Sequence, residues 1–340
     1  MMKHISKSLW LLFFSLVVCC GLYPLMLWGI GQGLFPFQAN GSIVKDGNGM
    51  PVGSLLIAQG FSKDQYFQPR PSACSYDASA SSSAALASSN YALRNRVAVQ
   101  LGPLVKYKSG PMAGTLVGPD IEKWFQADSF QGAPSIVAQW ADAHNALAAA
   151  WVTGDSSHGA FVGAWSASHP AEVAQYVKDN PATPHPGPAD LAVVFFKSFS
   201  KENPGKFPAV ATHTGADGKS VTAIEPVSVG SDIQSLFFDL WRTDHPQADL
   251  QDVPGDMVTS SASGLDPHIS LANAEFQLDR VAGAWAGLTK RDGMVVRAEI
   301  EQILQDNAVA PWFGLVGEKM VNVLKVNMAL QKKYAAPVAS

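Results

Sequence analysis

From Leu9 to Ile30 the chain is apolar and uncharged, preceded by Lys3 and Lys7 and followed by no further charge until Lys45. Read as a helix at ~1.5 Å per residue, this run is roughly 33 Å long, enough to cross the hydrocarbon core of a bilayer. Trp10 and Trp28 lie near its two ends, where indole rings favour the headgroup level. Tyr23-Pro24 sits inside it; membrane helices tolerate proline when neighbouring helices satisfy the freed carbonyl, so this pair is expected at a packing contact. A cleaved signal peptide shares the basic start, but the run exceeds a usual signal core and lacks a small-x-small site at its end. Val17-Val18-Cys19 matches a lipoprotein box only loosely. The expectation is a retained transmembrane helix over 9–30. Charge bias then keeps residues 1–8 in the cytoplasm and places everything after Gly33 outside.

Beyond this run the periodicity switches repeatedly between helix and strand. Gly53 to Gln59 reads as a short buried strand between Pro51 and Gly60, and the Ser/Ala-rich stretch from Asp77 to Asn90 as a solvated loop. Asn90 can cap a helix carrying Leu93, Val97 and Leu101. Pro134 suits a first helical position, with Ile136, Trp140, Ala143, Leu147 and Trp151 following at helical spacing. Pro170 opens a further helix that Asn180-Pro181 stops, and Lys206 to Pro226 reads as two extended runs around Gly215-Ala216-Asp217-Gly218. Later, Asp256 to Thr259 is strand-like and Ser260 to Ile269 is a small-residue loop. Ser270 caps a helix through Leu278 and Trp285, another helix carries Val296, Ile300 and Leu304, and Val321 to Leu324 fits either strand or helix. The fold class is therefore α+β: one N-terminal transmembrane helix, then a mixed extracytoplasmic domain.

Composition narrows the function. The chain has 340 residues, a net charge of −4 and only 15% charged residues, which gives no basic field for nucleic acid. Cys19 and Cys20 lie in the apolar run, leaving Cys74 alone outside it, so core packing and not disulfides must hold the fold. Gly218-Lys219-Ser220 ends like a phosphate loop, but the required first glycine falls on His213 and the following residues are strand-like. Ser198-Phe199-Ser200-Lys201 matches S-x-x-K without a K-T-G partner. No G-x-S-x-G, H-E-x-x-H or C-x-x-C occurs, so neither a catalytic set nor a metal site is expected. The loop Ser260 to Ser270 is the most distinctive: Gly264 permits positive φ and Asp266-Pro267 starts a turn, while Ser263, Asp266, His268, Gln277 and Arg280 could form a polar docking surface. Tyr66 to Ser72 is a stiff aromatic loop in which Tyr66 and Arg70 suit contact with a partner more than catalysis.

Taken in order, these pieces resemble the C subunit of the Kdp-type potassium-transporting P-type ATPase. The resemblance rests on the helix with Tyr23-Pro24, Gln38 to Ser42, Gly53-Ser54 with Gln59, and Tyr66-Phe67 with Arg70 to Ala73. It continues through Asp256 to Ser270, Gln277 with Arg280-Val281, and Val321 to Val323 with Asn327 and Leu330. It covers roughly 8–102 and 250–334, so that 34–102 and 231–334 would form the family domain and 103–230 a largely helical inserted block, a possible subdomain. The resemblance implies a non-catalytic subunit, anchored in the inner membrane beside a potassium-pore subunit and an ATP-hydrolysing pump subunit, that raises the pump's affinity for ATP as a catalytic chaperone. ATP enters by that resemblance only. Where the family typically reads S-G-G-S-N-L, this chain has Ser81 to Leu86 without either glycine. A stand-alone anchored binding protein is the alternative, and an anchored hydrolase with a dispersed site a third.

Overall fold

The computed structural model describes residues 2–87, 89–128, 135–214, 220–315 and 317–335. The apolar run forms one continuous helical rod: an α-helix Met2–Leu16, a wider π-helical stretch Val17–Leu22, and an α-helix Tyr23–Leu34. Residues His4–Leu34 are long and apolar enough to cross a membrane, with side chains exposed along the whole length. The π stretch lies just ahead of Pro24. Proline brings no N–H, and its ring crowds the carbonyl one turn back. The Tyr23 N–H bonds Val18 O, five residues back, so the helix widens where the regular ladder fails. Phe35, at φ −135°, stops the rod, and Pro36–Ala39 adds one more helical turn.

Packing divides the chain into Met1–Ala85 with Pro254–Ser340, and Leu86–Val253. In the first unit, strands Ile43–Lys45 and Pro51–Ser54 form a hairpin. The strand expected over Gly53 to Gln59 ends at Ser54. The Ser54 hydroxyl accepts the Leu56 N–H at 3.1 Å and donates to Gly41 O at 2.7 Å, which turns the chain. Asp256 to Thr259, read as strand, is instead a helical turn, Gly255–Val258. Asp256 is drawn there by long-range bonds, accepting the Ser270 N–H at 2.7 Å and the Ser270 hydroxyl at 3.0 Å. The ambiguous Val321 segment is both types in succession: strand Met320–Asn322 pairs antiparallel with His268–Ser270, and the Asn322 side chain then caps a helix, Val323–Tyr334. Ser270 caps Leu271–Thr289 as expected, and Asp292 caps Gly293–Asn307. These helices close on Phe67, Leu278, Val281, Trp285, Ile300 and Leu330.

One carboxylate ties three segments of this unit together. Glu299 receives both guanidinium nitrogens of Arg291, at 2.7 and 3.1 Å, the Tyr334 hydroxyl at 2.7 Å, and the Lys333 ammonium at 3.3 Å. The Arg291 bonds first, then those of Tyr334 and Lys333, pull its pKa down to about 2, while burial foremost pushes the Tyr334 phenol up. A carboxyl depressed in the folded state stabilises above its unfolded pKa and loses that contribution as pH falls through the folded one. Stability should therefore drop between about pH 4.5 and 2. In Glu299→Gln that part of the slope should vanish, with a lower melting temperature at neutral pH; thermal melts at a series of pH values check both.

The second unit is helical around an aromatic core. Trp140, Phe125, Phe196, Phe207 and Phe237 are all buried, with ring centroids 4.6–5.7 Å apart among the contacting pairs. Asn90 caps Tyr91–Leu101 through the Ala92 N–H, and Pro170–Asp179 ends at Asn180, both as expected. Strands Phe207–Thr214 and Ser220–Val227 pair antiparallel; the turn expected between them, and Pro134, lie outside the described residues.

The single helix expected from Ile136 through Trp151 breaks at His144 into Ile136–Ala143 and Asn145–Gly154. The His144 N–H closes the first helix on Trp140 O, and its carbonyl receives the Leu147 and Ala148 N–H groups of the second. Trp165 and His169, and Trp241 and His245, repeat this W-x-x-x-H spacing, and in all three the histidine terminates a helix at φ near −123°. In the last two the ring stacks on the tryptophan at 4.9 and 4.8 Å, and Nδ1 lies 2.9 Å from its carbonyl oxygen. These bonds engage carbonyls that a helix end otherwise leaves unpaired. His144 departs from the pattern: its Nδ1 has no partner, and burial pulls its basicity down against the opposing charge of Asp239.

Candidate functional site

The residues singled out by the sequence all fall in the first unit, where 58–82 and 256–270 are laced to two helices. On the Leu271–Thr289 helix, Asn273, Gln277 and Arg280 lie at i, i+4 and i+7, one polar stripe on one face. The Gln277 amide accepts the Gln68 N–H at 2.8 Å and donates to Gln68 O at 3.0 Å, as a neighbouring strand would. It also donates to Asn273 Oδ1 and accepts from Arg280, both at 2.7 Å, which uses both its donors and both acceptor positions. Asn327, on the Val323–Tyr334 helix, treats Phe67 in the same way, with both bonds at 2.9 Å. Arg280 donates to Asp64 O at 2.8 Å and Tyr66 O at 3.2 Å. Burial lowers its basicity, opposed by the Asp64 charge.

Gln277 is 2% exposed and is a strut inside the unit, where the sequence reading had it on a surface. Tyr66 packs between Phe61 and Trp285, and its hydroxyl accepts from Gln331 at 2.8 Å. Arg70 donates to Thr259 O and Ser260 O, at 3.3 and 3.1 Å. Ser72 donates to Gly264 O at 2.6 Å and accepts the Tyr76 N–H at 3.0 Å. Gly264 is required twice over: its φ is +72°, and a Cβ there would stand 2.9 Å from Ser82 O and 3.0 Å from Cys74 Sγ. The Ser263 carbonyl accepts from the Ser82 N–H and the Ser81 hydroxyl, at 3.2 and 3.3 Å.

Asp266 and His268 form a partly open polar pair, with side chains 36% and 44% exposed. Asp266 Oδ1 accepts from His268 Nδ1 and from the His268 N–H, each at 3.0 Å, and the imidazole bond chiefly holds the carboxyl below its ordinary range. On its other side His268 Nε2 faces the Asn322 amide at 3.5 Å. The Ser261 hydroxyl accepts the Asp266 backbone N–H at 3.4 Å, and among the described bonds neither the Asp266 carboxylate nor the His268 imidazole meets a serine, threonine or cysteine side chain. Among the described residues no group of three or more His, Cys, Asp or Glu is placed to hold a metal ion.

A nucleotide phosphate is a poor fit to Ser81 to Leu86. A phosphate cradle needs free N–H groups and glycine-like access. Here the Ser82 N–H is engaged by Ser263 O, the Ala85 N–H by the Ser83 hydroxyl at 3.1 Å, and the glycine positions carry Cβ atoms.

Together the described residues define an α+β protein with one N-terminal apolar helix of membrane-spanning length, followed in the same unit by segments braced by side-chain amides. The chain belongs to the family described as KdpC, the c chain of a K+-transporting ATPase, which matches residues 5–114 and 227–332. The potassium-transporting ATPase KdpC subunit of Caulobacter sp. (strain K31) is 28% identical over 92% of this chain and 86% of its own length. That of Caulobacter vibrioides (strain NA1000 / CB15N) is 27% identical over 100% of this chain and 98% of its own. The Pseudomonas putida (strain W619) subunit is 43% identical, but over 34% of this chain and 64% of its own length. The stretch between the two matched parts lies within the Leu86–Val253 unit.

The amides of Asn273 and Asn327 and the anchoring Asp256 were absent from the sequence's list of site residues. The signal for Asn273 was present: polar residues at i, i+4 and i+7 on a helix whose other inward positions are apolar mark side chains with interior partners.

Proposed function

We propose that this chain is a non-catalytic subunit of an ATP-driven, high-affinity potassium import complex. In this reading the apolar helix spans the inner (plasma) membrane once, and the residues after it are extracytoplasmic. There they stabilise the assembly beside a potassium-pore subunit, and the chain acts as a catalytic chaperone that raises the ATP affinity of the ATP-hydrolysing subunit. The observation that carries the reading is the family match over 5–114 and 227–332, which takes in most of the first unit and both ends of the second. The internal use of Arg70, Gln277 and Arg280 supports a bracing role for these residues. The chaperone effect is then indirect, because Ser81 to Leu86 is already bonded to its own unit and extracytoplasmic residues face no ATP.

The test is capture of the tagged full-length chain after gentle detergent extraction, followed by mass spectrometry. Two large partners are expected, one a polytopic pore protein and one an ATP-hydrolysing pump. Recovery of the chain alone would overturn the reading.

A further inference from the structure

The segment that leaves the apolar helix exposes large hydrophobic side chains that the unit's core does not use. Leu34, Phe35, Phe37, Ile43, Val52 and Leu56 are between 37% and 70% exposed. Ile43 faces Ser54 across the hairpin, and Val52 is the unpaired residue where the register shifts between the Val44–Gly53 and Lys45–Pro51 pairs. Between Lys7 and Lys63 the only charges are Lys45 and Asp46. Soluble surfaces rarely gather this much contiguous apolar area without a partner.

The chain is held close to the helix end. The Gln32 and Asn40 amides bond each other reciprocally at 3.4 and 3.3 Å, and Asn40 also donates to Pro36 O at 2.7 Å. The Ser42 N–H then bonds Phe37 O at 2.9 Å, and the Leu55 N–H bonds Ser42 O at 3.1 Å. The hairpin is therefore tied to the rod and cannot swing away as a loose tether would. His4–Leu34 contains 31 residues, a rod of ~46 Å, close to the ~40–45 Å of a bilayer with both headgroup layers. Its last turn thus falls within a headgroup layer, and the clamp holds Phe35 and Phe37 beside it.

We propose that residues 34–56 form a collar lying on the lipid surface, with Phe35, Phe37, Ile43, Val52 and Leu56 set into the boundary between headgroups and acyl chains. The occupant of this apolar face is lipid, and the inference rests on the reading that the rod spans the membrane. Aromatic and aliphatic side chains on a nearly uncharged segment suit that boundary. The collar would fix the helix's depth and tilt and the height at which the following unit is carried.

Site-directed spin labelling tests this. In full-length protein with Cys19, Cys20 and Cys74 replaced by alanine, nitroxides are placed at Phe37→Cys, Ile43→Cys or Leu56→Cys. The chain, with the subunits that co-purify with it, is reconstituted into nanodiscs of phosphatidylethanolamine and phosphatidylglycerol. Power saturation then compares oxygen, which concentrates in lipid, with nickel-EDDA, which stays in water. Oxygen access should exceed nickel access several-fold at all three sites. Nickel access dominating there, while a Leu25→Cys label remains shielded from nickel, would overturn the collar and leave the spanning helix standing. Poor access to both reagents at the three sites would mark a protein contact and equally overturn the lipid assignment. Free nickel access at Leu25 would remove the spanning helix and the collar with it.

Discussion

Replacing Asn327 with leucine should lower the stability of the first unit by about 2–5 kcal/mol, because it strands two buried backbone groups at once. Leucine matches the shape of asparagine closely, so the loss is one of hydrogen bonding and not of volume. Phe67 is 1% exposed, and both its N–H and its carbonyl depend on this one amide. Each unsatisfied group costs about 1–3 kcal/mol, and water cannot reach either without opening the core. Thermal unfolding of the detergent-solubilised chain, followed by tryptophan emission, should show a midpoint lower by roughly 5–20 °C. Gln331→Ala, which removes only an exposed bond to the Tyr66 hydroxyl, should cost less than about 1.5 kcal/mol. Equal midpoints for the two variants would refute the strut role assigned to Asn327.

Trp140→Ala should damage the second unit as severely. Trp140 is fully buried and meets Phe196 and Phe207 edge-on at 5.1 and 5.7 Å and Phe237 at 5.7 Å. Truncating such a side chain costs about 3–5 kcal/mol, through lost burial and the cavity left behind. The informative comparison is Trp140→Phe. The indole N–H is buried without a hydrogen-bond partner among the described residues, so a benzyl ring removes an unpaired donor along with some volume. Its cost should stay below about 1.5 kcal/mol. Hydrogen exchange locates the effect: in Trp140→Ala, protection should fall across the helices Gly118–Gln126, Ala192–Glu202 and Ser231–Asp244, which supply this core. Exchange confined to the Ile136–Ala143 helix would show that the aromatic cluster is not one cooperative body.

The elements set by adjacent residues were legible in the chain. Asn90 and Ser270 announce helix starts because a cap acts over two or three residues, and Pro170 and Asn180 bound a helix by backbone geometry alone. Errors arose where a distant partner decided the conformation. Asp256 turns into a helix because Ser270, fourteen residues on, needs its carboxylate. His144 interrupts a well-patterned helix because its N–H and carbonyl serve two different helices. The W-x-x-x-H spacing that marks this break occurs three times in the second unit, so the signal was present but is recognisable only once its geometry is known.

The candidate site divides in the same way. Tyr66, Arg70, Ser263, Gly264, Asp266, His268, Gln277 and Arg280 stood out through residue type and spacing, and the structure brings them into one unit. Their bonding was not legible, because side-chain amides that imitate a strand leave no local trace. Gln68 and Gln277 are 209 residues apart, and Phe67 and Asn327 are 260 apart. Gly264 was read as a turn residue. That its missing side chain also admits Ser82 and Cys74 depends on a segment far earlier in the chain.

That separation also imposes a schedule on biosynthesis. At about 5–20 residues per second, a ribosome needs roughly 13–50 s to travel from Phe67 to Asn327. Throughout that interval the loop around Phe67 has emerged without its partner, while Leu86–Val253, contiguous in sequence, has been synthesised in full and can close on its own aromatic centre. The nested unit is therefore completed first, and the unit that encloses it last. A translation pause or a premature stop after Val253 would release a chain with one finished unit and one open half, its unpaired backbone exposed to chaperones and proteases.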